Sequence, residues 1–250
     1  MSAPARERAV IVHPDARALA RATAARLLLA LIDAQAVREH VHIAVSGGSV
    51  GTEVLGAVAE SDLLDLVDLG SVHVWWVDER FVPAADADRN AVQARDALFD
   101  RIDLPAENLH PMPASDEGLT LAEAGDRYAA ELARFAADGE PQPVFDVVLL
   151  GMGPDGHIAS LFPGHAGLTA TGVTVVEADS PKPPPERVSL TFESINTARQ
   201  VWLAAWGAGK ADAIASALRD EPVSTTPAAG ARGREVTLWI LDPAAASRTA

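Results

Sequence analysis

Short, almost wholly apolar runs punctuate the chain, separated by longer segments in which apolar residues recur at helical spacing. The runs Ala9 to Val12, Val41 to Val45, Val72 to Val77 (VHVWWV) and Val147 to Leu150 (VVLL) are too short for buried helices. They are rich in Val, Leu and Trp, which predicts strands covered on both faces. Val173 to Val176, Val188 to Thr191, Val201 to Ala205 and Val236 to Leu241 continue the series. Helical patterns fill the intervals. One runs from Asp15, a candidate N-cap, to about Val37, and others from near Val50 to about Ala59, Ala91 to Phe99 and Thr120 to Ala137. Further helices are expected after Asn196, from Lys210 to Leu218 and, in a short piece stopped by Pro163-Gly164, over Ile158 to Phe162. Alternating strands and helices predict one doubly wound, Rossmann-like α/β domain over residues 1–250, with a mostly parallel sheet and helices on both faces. Three stretches read as loops: LPAENLHPMP, the run SPKPPPE from Ser180 to Glu186, whose prolines exclude helix and inner strand, and the small-residue segment Pro222 to Arg234. The last two are expected to be mobile.

Composition narrows the function more than the fold. With no cysteine there is no disulfide framework, no thiolate metal site and no cysteine nucleophile. No apolar run approaches the roughly 18 residues of a membrane span, and MSAPARERAV has no hydrophobic signal core. The expectation is a cytoplasmic protein with no membrane partner. Twenty Lys and Arg against 35 Asp and Glu give a net charge of −15, which argues against nucleic acid as a partner. A small anionic ligand is still possible, but its site must be made locally, from a few basic side chains, backbone N–H groups and helix N-termini.

The chemistry clusters where predicted strands end. The run Val147 to Leu150 leads into Gly151-Met152-Gly153-Pro154-Asp155-Gly156 and then His157. The strand Val41 to Val45 leads into Ser46-Gly47-Gly48-Ser49 and a helix, the local plan of a phosphate cradle. The strand Val72 to Val77 leads into Asp78-Glu79-Arg80 and a loop reaching Asn90. Each has a bland reading: a capping histidine, a chain-reversing turn, a solvated strand end. Two famous fingerprints also overlap these residues. Gly151-x-Gly153-x-x-Gly156, with Glu177 further on, matches the dinucleotide pattern, but Pro163-Gly164 leaves too short a helix for one. Gly47-x-Ser49-x-Gly51 matches a nucleophile elbow with His157 as base and Asp78 as orienter, but too few strands precede it. The third reading brings all three strand ends to one sheet edge. There they make a pocket with a cradle, an arginine, two carboxylates and a histidine. No spaced ligand cluster calls for a metal.

The stretch GMGPDGHIASLFPG resembles the glucosamine-6-phosphate isomerase/6-phosphogluconolactonase family, and the residues after His157 resemble its lactonase branch. The deaminase branch carries a Gly-Phe-Asn-Glu-Pro type sequence there. The resemblance runs from about Val10 to Leu241 and takes in SGGS, VDER with Asn90, Glu186-Arg187-Val188-Ser189 and Gly209-Lys210. It implies that SGGS, Arg80, Arg187 and Lys210 hold a phosphate, that His157 is a general base with Asp78 close by, and that no cofactor or metal is needed. It implies a sugar phosphate lactone as substrate, 6-phosphogluconolactone, opened in the pentose phosphate pathway. A monomer or weak homodimer is expected. Convergence and resemblance together make His157 and Asp78 the catalytic candidates. Ser46, Gly47, Gly48, Ser49, Arg80, Asn90, Asp155, Gly156, Arg187 and Lys210 are the substrate-binding candidates. Asp78 or Asp155 partners the imidazole. Two positions depart from the family pattern: Val50-Gly51 replaces Thr-Pro after SGGS, and Arg89 replaces the Ser before Asn90, adding a positive charge expected near the pocket mouth.

Overall fold

The computed structural model describes residues 7–249. Its elements are β1 (Glu7–Val12), α1 (Ala16–Gln35), β2 (Val41–Val45), α2 (Gly48–Ala59), β3 (Val72–Trp76), β4 (Asp78–Arg80), α3 (Asn90–Ala97), β5 (Leu109–His110), α4 (Leu121–Ala133), β6 (Val147–Leu150), β7 (Thr174–Glu177), β8 (Arg187–Leu190), α5 (Phe192–Ile195), β9 (Gln200–Ala205), α6 (Ala211–Leu218) and β10 (Val236–Leu241).

The main sheet has seven strands in the order β1-β10-β9-β6-β2-β3-β5, every pair parallel. Successive strand side chains point to opposite faces, which explains why these strands read as continuous apolar runs. In β6, Val147 and Leu149 pack with α1 and α2, while Val148 and Leu150 pack with Tyr128 and Leu132 of α4 and Ile214 of α6. Each face has its own core, so the fold is the expected doubly wound α/β arrangement. Winding proceeds from β2 through β3 to β5 towards one edge and from β6 through β9 to β10 towards the other. The crevice where winding reverses therefore lies between the carboxyl ends of β2 and β6, where open α/β sheets bind ligands.

Four expectations need correction. The strands expected over Val173 to Val176 and Val188 to Thr191 do not join the main sheet. With Asp78–Arg80 they form a separate three-stranded antiparallel sheet, β4-β8-β7. The junction is Val77: its N–H donates to Val45 O (3.0 Å) and its carbonyl accepts from Leu190 N (2.8 Å). There is no helix over Ile158 to Phe162. Ala159 takes a left-handed backbone (φ 47°), and Ile158 and Leu161 bridge each other as in a tight hairpin. The helix expected after Asn196 precedes it; Asn196 is the C-cap of α5. LPAENLHPMP holds a short edge strand, β5, paired to β3.

Helix starts follow their caps. Asp15 Oδ1 accepts from Ala18 N (2.7 Å) ahead of α1, and Thr120 with Glu123 forms a capping box ahead of α4. Helix α2 begins at Gly48 with no side chain capping it, leaving its first N–H groups to face the crevice.

Candidate active site

The crevice holds a cavity of about 270 Å³. It is lined by the β2–α2 turn (Ser46 to Val50), by Asp78, Arg80 and Asn90, by the β6 loop from Gly151 to Pro154, and by His157, Ala159, Lys182, Arg187 and Lys210. The three strand ends predicted to converge do so. Asp155 and Gly156 stand behind the wall rather than in it. A larger hollow of about 670 Å³ lies near the amino ends of β6 and β9 against α1, but four of its charged groups are paired with one another: Arg38 and Arg199 with Asp146 (3.2 and 3.4 Å) and Arg199 with Glu235 (3.0 Å). The chemistry sits in the smaller cavity.

The two Gly-rich loops are tied together. Ser46 Oγ accepts from Gly151 N (2.8 Å), and Ser46 N donates to Leu149 O (3.0 Å). Close approach dictates glycine at two places. A Cβ on Gly47 would lie 1.8 Å from Asn90 Oδ1, and a Cβ on Gly153 would lie 2.1 Å from both Cε1 and Nδ1 of His157. The second loop has no Cβ at Gly153 because the imidazole occupies that volume.

His157 Nδ1 meets Asp155 Oδ1 at 2.5 Å, and the ring packs on buried Phe162 with centroids 4.7 Å apart. A carboxylate can only accept, so Nδ1 carries the proton and Nε2 is left with the lone pair. Partial burial opposes ionisation of Asp155, but the hydrogen bond and charge of His157, with the charge of Lys182, hold its carboxyl down at about 2. Asp155, not Asp78, is thus the orienting partner of the imidazole. Asp78 is occupied elsewhere: Oδ2 accepts from Ser160 Oγ (2.6 Å), and its carbonyl accepts from Asn90 Nδ2 (2.8 Å). Asn90 in turn accepts from Arg80 Nη1 through Oδ1 (2.6 Å), so it orients Arg80 within the wall.

Four cations, Arg80, Lys182, Arg187 and Lys210, face a cavity whose one acidic lining residue is Asp78. In a chain of net charge −15 this is a local inversion of sign. Arg80 and Arg187 are register partners across β4 and β8. Arg187 also braces the proline loop: its Nη2 donates to Lys182 O (3.0 Å) and its Nε to Pro184 O (3.2 Å). Burial lowers the Lys210 ammonium, and the Lys182 charge lowers it further against an opposing pull from Asp242.

Arg89 is not at the pocket mouth. It is 3% exposed, donates to Met112 O (2.5 Å), and lies 3.7 Å from the buried carboxylate of Glu79. Glu79 accepts from Asn90 N (2.7 Å) and Ala91 N (2.9 Å), capping α3. Burial raises the Glu79 carboxyl, opposed by Arg89 and by these backbone N–H groups. The Arg89–Glu79 pair therefore holds up the start of α3, where Asn90 sits.

Neither rival fingerprint has its structure. The dinucleotide pattern requires a helix directly after Gly156, and none is there. The elbow requires Ser49 to meet its base, and among the described residues no hydrogen bond joins Ser49 to His157. Among the described residues, no group of three or more His, Asp or Glu is placed to hold a metal ion, and no helix is long and apolar enough to cross a membrane.

Sequence reasoning passed over Lys182, Ser160 and Glu79. A lone lysine among four prolines just before Arg187 was a usable signal. The hydroxyl of Ser160 and the burial of Glu79 had none.

The fold and this site define a class. The chain belongs to the glucosamine-6-phosphate isomerases/6-phosphogluconolactonase family, whose model matches residues 14–239. Its relatives place it in the 6-phosphogluconolactonase branch of lactone hydrolases. It is 46% identical to a 6-phosphogluconolactonase of Streptomyces coelicolor over 244 residues, 96% of this chain and 94% of that one. It is 45% identical to one of Mycobacterium leprae over 242 residues, covering 96% and 97%. A solved 6-phosphogluconolactonase structure from Trypanosoma brucei matches with a TM-score of 0.83 at 28% identity, covering 98% of this chain and all of that one (100%).

Proposed function

We propose that this protein hydrolyses 6-phospho-D-glucono-1,5-lactone to 6-phosphogluconate in the pentose phosphate pathway, in the cytoplasm and without a metal. The observation that carries the reading is His157, set in the wall of a cation-lined cavity and held from behind by Asp155 (2.5 Å). A δ-lactone has an activated carbonyl, so attack by water needs only proton removal and stabilisation of the developing oxyanion. His157 Nε2 takes a proton from water as the oxygen bonds to C1. The C1–ring oxygen bond then breaks, and the same nitrogen returns the proton to the leaving oxygen. Asp155 fixes the tautomer throughout. The α2 N-terminus with Arg80, Arg187 and Lys210 binds the phosphate, which sets C1 against the water.

The test is proton release from the phosphorylated lactone, corrected for spontaneous opening and repeated after exhaustive EDTA treatment. Turnover should survive EDTA. His157→Ala should lower kcat by about 10²- to 10⁴-fold while the protein still binds 6-phosphogluconate. Ser49→Ala should mainly weaken binding, because one hydroxyl contact is lost and the loop N–H groups remain. If Ser49→Ala is as inactive as His157→Ala and an acyl-enzyme adduct can be trapped, the reaction is covalent and the proposal fails. Loss of activity to EDTA that a divalent ion restores sinks the metal-free mechanism.

A further inference from the structure

The proline loop brings a lysine to the base itself. Lys182 Nζ lies 3.4 Å from His157 Nδ1, and Lys182 lines the cavity. That nitrogen already gives its proton to Asp155, so it offers Lys182 no acceptor, and the ammonium protons are available to the cavity. Among the described residues Lys182 makes no ion pair with a carboxylate within 4.0 Å. Its backbone, by contrast, is firmly mounted: Ser180 Oγ accepts from Lys182 N (3.2 Å) and donates to Lys182 O (3.0 Å), and Arg187 Nη2 donates to the same carbonyl (3.0 Å). The loop therefore presents an ammonium with no carboxylate within 4.0 Å among the described residues, on a braced stem.

Position decides what that head does. A general base must sit within hydrogen-bond reach of the water it deprotonates, and that water attacks C1. Lys182 flanks the imidazole on its Nδ1 edge and lines the same cavity, which puts its ammonium towards the C1 end of the substrate, while the phosphate on C6 is at the other. The negative charge that appears at the C1 end during the reaction is the one on the carbonyl oxygen.

We propose that Lys182 is a catalytic residue whose ammonium faces the C1 carbonyl oxygen and stabilises the oxyanion formed there. The assignment rests on the lactonase reading above. As water's oxygen bonds to C1, the C=O π electrons move onto the carbonyl oxygen beside Lys182 Nζ, and the water proton goes to His157 Nε2. When the carbonyl re-forms, the C1–ring oxygen bond breaks and that oxygen takes the proton back. Lys182 stays protonated throughout.

The experiment compares Lys182→Met with the unaltered protein on 6-phosphogluconolactone and on unphosphorylated glucono-1,5-lactone. A lost oxyanion contact lowers kcat by about 10²- to 10³-fold. The loss should be equal on both lactones, since both have the same carbonyl, with KM for the phosphorylated one changed by less than about threefold. Lys182→Arg, which keeps the charge, should recover part of kcat, and it carries the test if Lys182→Met does not fold. A rise in KM confined to the phosphorylated lactone makes Lys182 a fourth phosphate ligand and overturns the proposal; so does an unchanged kcat. Absence of turnover in the unaltered protein removes the lactonase reading as well. Normal turnover there with an unaffected Lys182→Met removes the Lys182 assignment alone.

Discussion

Gly153→Ala tests whether the volume behind the imidazole matters to the chemistry. The added Cβ would lie 2.1 Å from His157 Cε1 and Nδ1 and 2.5 Å from Asp155 Oδ1. Ordinary contact begins at 3.4 Å, so the ring has to retreat by the difference, about 1.3 Å. The backbone cannot easily absorb this, because the turn is closed by Gly153 N donating to His157 O (2.9 Å) and Gly156 N donating to Gly153 O (3.0 Å). A misplacement of about 1 Å in a reacting group costs on the order of 10²-fold in rate. Crowding a packed site costs about 1–3 kcal/mol of stability. Gly153→Ala should therefore lower kcat roughly a hundredfold in the proton-release assay, with binding of 6-phosphogluconate retained. The decisive measurement is the double variant. If Gly153→Ala acts through the ring, adding it to His157→Ala should cause little further loss of turnover and much less destabilisation in thermal melts. Near-normal kcat in Gly153→Ala, or independent losses that multiply in the double variant, would refute the reasoning.

Substituting Arg80, Arg187 or Lys210 by Ala should raise KM for the phosphorylated lactone by about 10- to 100-fold, the range for one charge-assisted hydrogen bond, and, for Arg80 and Lys210, leave the plain lactone nearly unaffected; equal rises in KM on both substrates would end the phosphate assignment. Arg187→Ala should in addition release the proline loop, seen as faster amide exchange near Lys182, because three carbonyls of that loop (Lys182, Pro183, Pro184) accept from its guanidinium. The Asp155 carboxyl is held at about 2, below the ordinary carboxylate value of about 3.9, so its stabilising contribution is present above the ordinary value and lost as pH falls towards the folded one. Urea denaturation between about pH 5 and about pH 2.5 should show Asp155→Asn flattening the decline by under about 1 kcal/mol, the side chain being partly exposed; an unchanged slope would count against the pairing.

Where the sequence was legible, the reason was physical redundancy. Val147–Leu150 and Val201–Ala205 are buried on both faces, so every position signals strand. The Gly-rich ends of β2 and β6 declared themselves because the backbone must leave room there for the side chains of Asn90 and His157. Other features depend on partners distant in the chain. Asp78–Arg80 reads as a solvated strand end until β8, over a hundred residues later, pairs with it. Ile158 to Phe162 has helical spacing, but Ala159 is forced into a left-handed conformation within a tight hairpin. The choice between Asp78 and Asp155 was open because both follow strands that end at the crevice holding His157. The Nδ1 contact with Asp155 distinguishes them, and it exists only in the folded chain. Arg89 has the composition of a surface residue and the burial of a core one, and its Glu79 partner is visible only when folded.

The junction at Val77 has a consequence for how this architecture can diversify. His157, Asp155 and the β2–α2 turn are mounted on the main sheet's loops, whereas Arg80 and Arg187 ride on a small accessory sheet that departs from it at Val77. Most of the candidate reactive groups are therefore carried apart from Arg80 and Arg187, Lys182 on the β7–β8 loop being the exception. A shift in the ladder between Arg80 and Arg187 would change which tail the enzyme accepts while the machinery for opening the ring stayed as it is. Laboratory evolution towards lactones with other charged or uncharged tails should accordingly gather its substitutions on β4 and β8 and spare the loop from Gly151 to His157.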